Sequence, residues 1–217
     1  MQKPPLVLFG GTFDPIHFGH LRTALELQEV LKVPQINLVP AGEPVHKVST
    51  GASAAQRFEM VRLAIDSEPA LVADDCELIS DERCYTINTL MNKRAEVGEA
   101  LPIILVMGMD SLLGIKRWFQ WQQLTDYCHL LIVARPSYEP EFDSEIQSFI
   151  DQRKVEDLTE LSTRPSGYLV MHQLTPMNVS ATKVREIIKQ GSNPRFLIPD
   201  VVWDFIKTER LYDANER

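Results

Sequence analysis

Apolar residues along this chain fall in short unbroken runs rather than in strict alternation. Residues 6–9, 36–40, 71–72 with the positions after them, 102–107, 130–134 and 168–174 are each of strand length. Continuous runs suit strands covered on both faces. The segments between them have helical spacing. Leu21, Ala24, Leu25 and Leu31 share one face, with Arg22, Glu26, Glu29 and Lys32 elsewhere. "AAQRFEMVRLAIDSEP" places Phe58, Val61 and Ile65 on one stripe and stops at Pro69. "TINTLMNKRAEVG" and "SATKVREIIKQG" both end on glycine, and the second carries Val184, Ile187 and Ile188 as its stripe. Alternating strands and helices predict an α/β fold: a Rossmann-like doubly wound parallel sheet with helices on both faces. A small C-terminal helical part follows, a final helix within residues 198–212 with Pro199 in its first turn. Residues 136–166 are rich in charge and less regular, and read as a partly helical excursion.

Size and composition narrow this picture only a little. A chain of 217 residues predicts one domain, residues 1–217, with a sizeable core. Hydrophobic content of 44% and charged content of 24% are those of an ordinary globular protein. The net charge of -8 argues against a nucleic-acid partner, while a local cluster of His, Lys and Arg can still hold a small anion. Cys76, Cys84 and Cys128 are scattered and form no CxxC pair, so neither a disulfide framework nor a zinc site is expected. That fits a reducing cytoplasm. No apolar run has the length of a signal-peptide core or a membrane span, so no membrane association is expected.

The chemistry concentrates first in "LVLFGGTFDPIHFGHL". Gly10 and Gly11 follow the first apolar run, where glycine permits positive φ and close backbone approach to a ligand. Thr12 and Phe13 continue the turn, and the N–H groups of the next helix would attract phosphate. The pattern is neither GxGxxG nor GxxxxGK[ST]. His17 and His20 are three positions apart with Gly19 between them, which leaves room for a ligand between two rings on one face. Two imidazoles so placed can donate hydrogen bonds to phosphoryl oxygens as charge is redistributed. The plain structural alternative is a pair of surface or helix-capping histidines.

A second anion site is expected at "NVSATKVREIIKQG". Ser180 can cap the helix or face an anion, and Thr182 adds a second hydroxyl. Arg185, about one turn further in, can lean back over the helix start and hold phosphate bidentately. In "VPAGEPVHK", His46 and Lys47 are phosphate-binding candidates on a Pro/Gly loop. In "MGMDSLLGIKRWFQW", Gly108 permits close approach and Asp110 can accept ribose hydroxyls.

"GGTFDPIHFGHL" resembles the signature of the HxGH nucleotidylyltransferase superfamily, and "SATKVR" resembles its second motif, SxTxxR. The whole string is most similar to bacterial nicotinate mononucleotide adenylyltransferases, from Leu8 to Tyr212. The resemblance implies adenylyl transfer from ATP to nicotinate mononucleotide, with release of pyrophosphate, in NAD synthesis. It implies that His17, His20 and Arg185 are catalytic. Gly10, Gly11, Thr12, Phe13, Gly19, Lys47, Gly108, Asp110, Arg135, Ser180 and Thr182 would then bind ATP. Tyr85 and Thr86, in the place of a Ser/Thr–Tyr–Thr segment, would recognise the nicotinate carboxylate. Trp118 would stack on the pyridine ring, with His46 nearby, while Trp121 reads as packing. Arg135 stands in "ARPSY", which resembles RPGY with Ser137 for glycine, and Val45 replaces a second proline before His46. Mg²⁺ would enter with ATP, since no dense carboxylate site is visible to hold a metal. An enzyme preferring nicotinamide mononucleotide and a nucleotide-binding regulator without catalysis stay open beside this reading.

Overall fold

The computed structural model describes residues 3–42, 51–78, 85–134 and 140–212. The chain alternates strand and helix from its start. β1 (Leu6–Gly11), α1 (Phe18–Leu31), β2 (Ile36–Pro40), α2 (Ala54–Ile65) and β3 (Leu71–Ala73) form the first half. The second half runs α3 (Thr86–Val97), β4 (Ile103–Gly108), α4 (Met109–Leu113), α5 (Leu124–Tyr127), β5 (His129–Ala134), α6 (Ser144–Asp151), β6 (Leu169–Gln173), α7 (Ala181–Lys189) and α8 (Asp200–Thr208). The six strands make one all-parallel sheet in the order β3-β2-β1-β4-β5-β6. Each of the six apolar runs is a strand of it.

Why the runs are unbroken is visible in the burial. Val7 and Phe9 of β1 and Ile104 and Val106 of β4 enter the core shared with α1, α2, α7 and α8. Leu8, Ile103, Leu105 and Met107 point the other way, into a core shared with α3, α4, α5 and α6. Successive residues alternate faces, and both faces are covered. Strand order reverses between β1 and β4, so a crevice opens beyond their carboxyl ends, where open α/β sheets bind ligands.

Two local expectations differ, in α2 and at Pro199. In α2 the fully buried stripe contains Arg57 with Met60, Val61 and Ile65, whereas Phe58 is only partly buried. The excursion after β5 contains α6 and a 3₁₀ turn, Leu158–Ser162. Pro199 caps α8 rather than sitting in its first turn. At the amino ends of the strands a second buried arginine, Arg94, donates to the carbonyls of Gly98, Leu101, Tyr127 and Pro165. One guanidinium thereby joins four backbone carbonyls at this end of the sheet. No helix among the described residues is long and apolar enough to cross a membrane.

Candidate active site

The turn after β1 is built differently from its sequence expectation. Gly10 and Gly11 are the last residues of β1, and the left-handed turn falls instead on Phe13, at φ 48°. The buried Phe13 ring lies over Gly11, 2.8 Å from where a Cβ would stand. Gly11 therefore makes room for Phe13, while Gly10 meets nothing nearer than Leu105 at 4.0 Å. The Phe13 ring stands edge-on to His20 at 4.9 Å between centroids.

His17 is the N-cap of α1 and His20 is its third residue, and each caps the other. His20 N–H donates to His17 Nδ1, and His17 N–H donates to His20 Nδ1, both at 3.3 Å. The rings stack with centroids 3.6 Å apart and planes 15° apart. With Nδ1 accepting, a neutral imidazole carries its proton on Nε2. Burial holds both rings neutral: it lowers His17 to about 4 and His20 well below the ordinary value, with the neighbouring His17 adding to the effect. Each ring thus keeps one Nε2–H donor. The capping role and the donor role coexist on different nitrogens.

Gly19 joins the two motifs. A Cβ there would lie 2.9 Å from Val179 Cγ1 and 3.0 Å from the His17 ring. The space assigned to a ligand by the sequence belongs to the chain itself. Val179 immediately precedes Ser180, the N-cap of α7, whose hydroxyl accepts the Lys183 N–H at 3.2 Å. Arg185 donates to the backbone carbonyl of Asp14, 171 positions away, and reaches Thr182 Oγ1 at 3.5 Å.

These groups line a cavity of about 1110 Å³ beyond the carboxyl ends of β1, β4 and β5. His17, His20, Ser180, Thr182 and Arg185 stand along it, with Gly108 and Asp110 opposite. A Cβ on Gly108 would meet no protein atom within 4 Å, so this glycine faces open space.

A family model described as cytidylyltransferase-like matches residues 8–187. Among curated relatives, the "Probable nicotinate-nucleotide adenylyltransferase" of Hahella chejuensis is 42% identical, covering 98% of each chain. That of Marinobacter nauticus is 44% identical over 96% of each. The chain belongs to the nicotinate-nucleotide adenylyltransferases, within the cytidylyltransferase-like family. In fold it is similar to the Plasmodium falciparum nicotinic acid mononucleotide adenylyltransferase complexed with NaAD. That match has a TM-score of 0.74 at 17% identity, covering 98% of this chain and 99% of the other.

A second cavity of about 570 Å³ adjoins the first. The two share Gly10, Gly11, Thr12, Asp110 and Ser111 as lining residues. Its walls include Tyr85, Thr86 and Thr89 at the start of α3, and Trp118 and Phe119. Tyr85, not Thr86, holds the N-cap position of α3, and the Tyr85 side chain makes no capping hydrogen bond. Tyr85 and Phe119 pack at 4.8 Å between centroids. Trp121 is buried against Phe149, as packing. His46, Lys47 and Arg135 lie outside the described residues.

Four residues of the site were not assigned from the sequence. Arg57, fully buried, donates to the carbonyls of Thr12 at 2.8 Å and Gly42 at 3.0 Å. It ties the floor between the cavities to α2. Glu77 accepts the Gly42 N–H at 3.2 Å and the Thr89 hydroxyl at 2.8 Å. Burial raises its carboxyl pKa, against the pull of those two hydrogen bonds. Asp14 and Tyr212 meet beside Arg185, joined at 2.7 Å. The only sequence signal was an arginine inside an apolar-spaced helix.

Proposed function

We infer that this chain transfers the adenylyl group of ATP to nicotinate mononucleotide, giving nicotinate adenine dinucleotide and pyrophosphate. The observation that carries the residue roles is the joining of two distant helix starts, His17–His20 and Ser180–Arg185, along one cavity beyond β1 and β4. The smaller adjoining cavity supplies a place for the acceptor. Residues 1–217 are read as one nucleotidylyltransferase domain.

In this reading the acceptor's phosphate attacks the α-phosphorus in line, and the pyrophosphate leaves toward α7. No protein nucleophile is required, so catalysis rests on positioning and on charge stabilisation. His17 and His20 donate from Nε2–H to α-phosphate oxygens whose charge changes in the transition state. Because both rings are neutral, Nδ1 keeps accepting the partner's backbone N–H while Nε2–H donates. Arg185, Thr182 and Ser180 take the β- and γ-phosphates at the α7 N-terminus. Gly10, Gly11, Thr12, Phe13 and Gly19 shape the triphosphate path, and Gly108 and Asp110 take the adenosine. Tyr85 and Thr86 receive the nicotinate carboxylate at the start of α3, and Trp118 stacks on the pyridine. Lys47, His46 and Arg135 are assigned from the sequence alone.

The family's chemistry on ATP fits a divalent cation, and Mg²⁺ is the proposed one. No group of three or more His, Cys, Asp or Glu among the described residues could hold a metal on its own. With Asp110 assigned to the adenosine, the cation would be held chiefly by the triphosphate oxygens themselves. Mg²⁺ commonly binds through one or two carboxylates plus substrate phosphates, and it neutralises phosphate charge there.

Pyrophosphate release with ATP, measured against a panel of mononucleotide acceptors, tests the reaction. Turnover with nicotinate mononucleotide above all other acceptors is expected. Greater turnover with the nicotinamide form would replace the acceptor assignment. Trp118→Ala should raise KM for the acceptor by about tenfold and leave KM for ATP unchanged, as loss of one aromatic stack predicts.

A further inference from the structure

We propose that Asp14 and Tyr212 are positioning residues that keep the charge of Arg185 available to the pyrophosphate leaving group. This rests on the triphosphate assignment above and adds two residues to it. Asp14 is 5% exposed and sits in the turn between β1 and α1, at the edge of the larger cavity. A carboxylate beside a phosphate-binding arginine is an electrostatic liability, because it competes with phosphate for the guanidinium. Here the competition is blunted by two neutral donors. Tyr212 O–H donates to Oδ1 at 2.7 Å, and Gly51 N–H donates to Oδ2 at 3.0 Å. Arg185 makes only a long ion pair with Oδ2, at 3.7 Å, and its hydrogen bonds go to neutral oxygens. The guanidinium is thus held in place by Asp14's carbonyl and Thr182's hydroxyl, with no hydrogen bond to the carboxylate to compete with phosphate.

Tyr212 reaches Asp14 only because position 51 lacks a side chain. A Cβ on Gly51 would lie 2.6 Å from the Tyr212 ring and 3.5 Å from Arg185 Cδ. Tyrosine, glycine, aspartate and arginine come from four separate parts of the chain and pack as one unit. Burial, followed by the adjacent Asp14 charge, raises the Tyr212 pKa, so its hydroxyl remains a donor at neutral pH.

Removing the Tyr212 hydroxyl frees one carboxylate oxygen, and Asp14 should then pair directly with Arg185. Tyr212→Phe is expected to weaken binding of inorganic pyrophosphate by about tenfold, the equivalent of one charge-assisted contact. Binding of AMP, which lacks the outer phosphates, and KM for the acceptor should not move. On an Asp14→Asn background, Tyr212→Phe should change pyrophosphate affinity by less than about twofold, since the competing charge is gone. Titration calorimetry with inorganic pyrophosphate and with AMP, alongside thermal melting, reads all of this. Unchanged pyrophosphate affinity, an equal loss for AMP, or the same loss on the Asp14→Asn background would each overturn the proposal. If Asp14→Asn does not fold, the pyrophosphate-against-AMP comparison in Tyr212→Phe decides alone. A wild-type chain with no turnover of ATP would instead sink the function itself.

Discussion

His17 and His20 each accept the other's backbone N–H through Nδ1, with their rings 3.6 Å apart. The pair caps α1 and fixes the tautomer of both rings in one arrangement. Its consequence is a pH signature. The unfolded chain protonates these histidines near pH 6.5, while the folded chain protonates His17 only near about 4. Between those values the unfolded state holds more protons, so folding stability falls as pH falls through that window. His17 alone should contribute about 3 kcal/mol of this loss, from its shift in pKa. Urea unfolding at pH 7 and pH 4.5 should show the decline, and His17→Asn should flatten it. Parallel pH slopes for the two proteins would refute the assignment.

Capping and chemistry can be separated at the same position. Asparagine is a good N-cap but offers nothing where Nε2–H stands. His17→Asn should melt within a few degrees of wild type near pH 7, yet lose roughly 10² in kcat. His20→Ala should lose at least as much, with some stability as well. Near wild-type kcat in His17→Asn would remove that ring from the transition state.

The two glycines Gly19 and Gly108 should respond oppositely to the same substitution. An alanine at 19 would press on Val179 and the His17 ring. Gly19→Ala is therefore expected to lower both melting temperature and kcat, the latter by about tenfold, as displaced catalytic groups do. An alanine at 108 meets no protein atom within 4 Å. Gly108→Ala should leave melting unchanged and raise KM for ATP. Steady-state kinetics and thermal melts on both variants check the contrast. A Gly108→Ala protein with unaltered KM for ATP would show that adenosine does not lie over this glycine.

Buried arginines at opposite ends of the sheet give a further comparison. Arg57 and Arg94 both end on backbone carbonyls, so replacing either with methionine strands buried acceptors and should cost about 3 kcal/mol. Only Arg57 holds Thr12, between the two cavities. Arg57→Met should thus also raise KM for both substrates, while Arg94→Met, assayed well below its melting temperature, should keep wild-type kinetics. Equal kinetic losses in the two would mean that Arg57 acts through stability alone.

The strands were legible because unbroken apolar runs have few other uses in a chain of this size, and each of the six is a strand of one sheet. The two motif-bearing helix starts were legible because Gly, His, Ser, Thr and Arg are uncommon choices in such close spacing. Arg57 was not legible. Helical periodicity sorts residues by hydropathy, which places an arginine outside and Phe58 inside, whereas the loop carbonyls of Thr12 and Gly42 draw Arg57 in. Gly11 and Gly19 were legible as glycines but not in their purpose. Whether a missing Cβ serves a ligand or a neighbouring side chain depends on what packs there, here Phe13, Val179 and His17.

By itself the sequence determined the α/β class, the order of its elements and the two motifs, because local pattern and residue type are enough for those. Tertiary structure decided what one motif does to the other. It set Val179 against Gly19, brought Arg185 to Asp14, and carried Tyr212 across 198 positions to the same carboxylate. It also decided that the two histidines are neutral. Protonation follows burial and hydrogen-bond partners, and those exist only once β1, α1 and α7 have packed together.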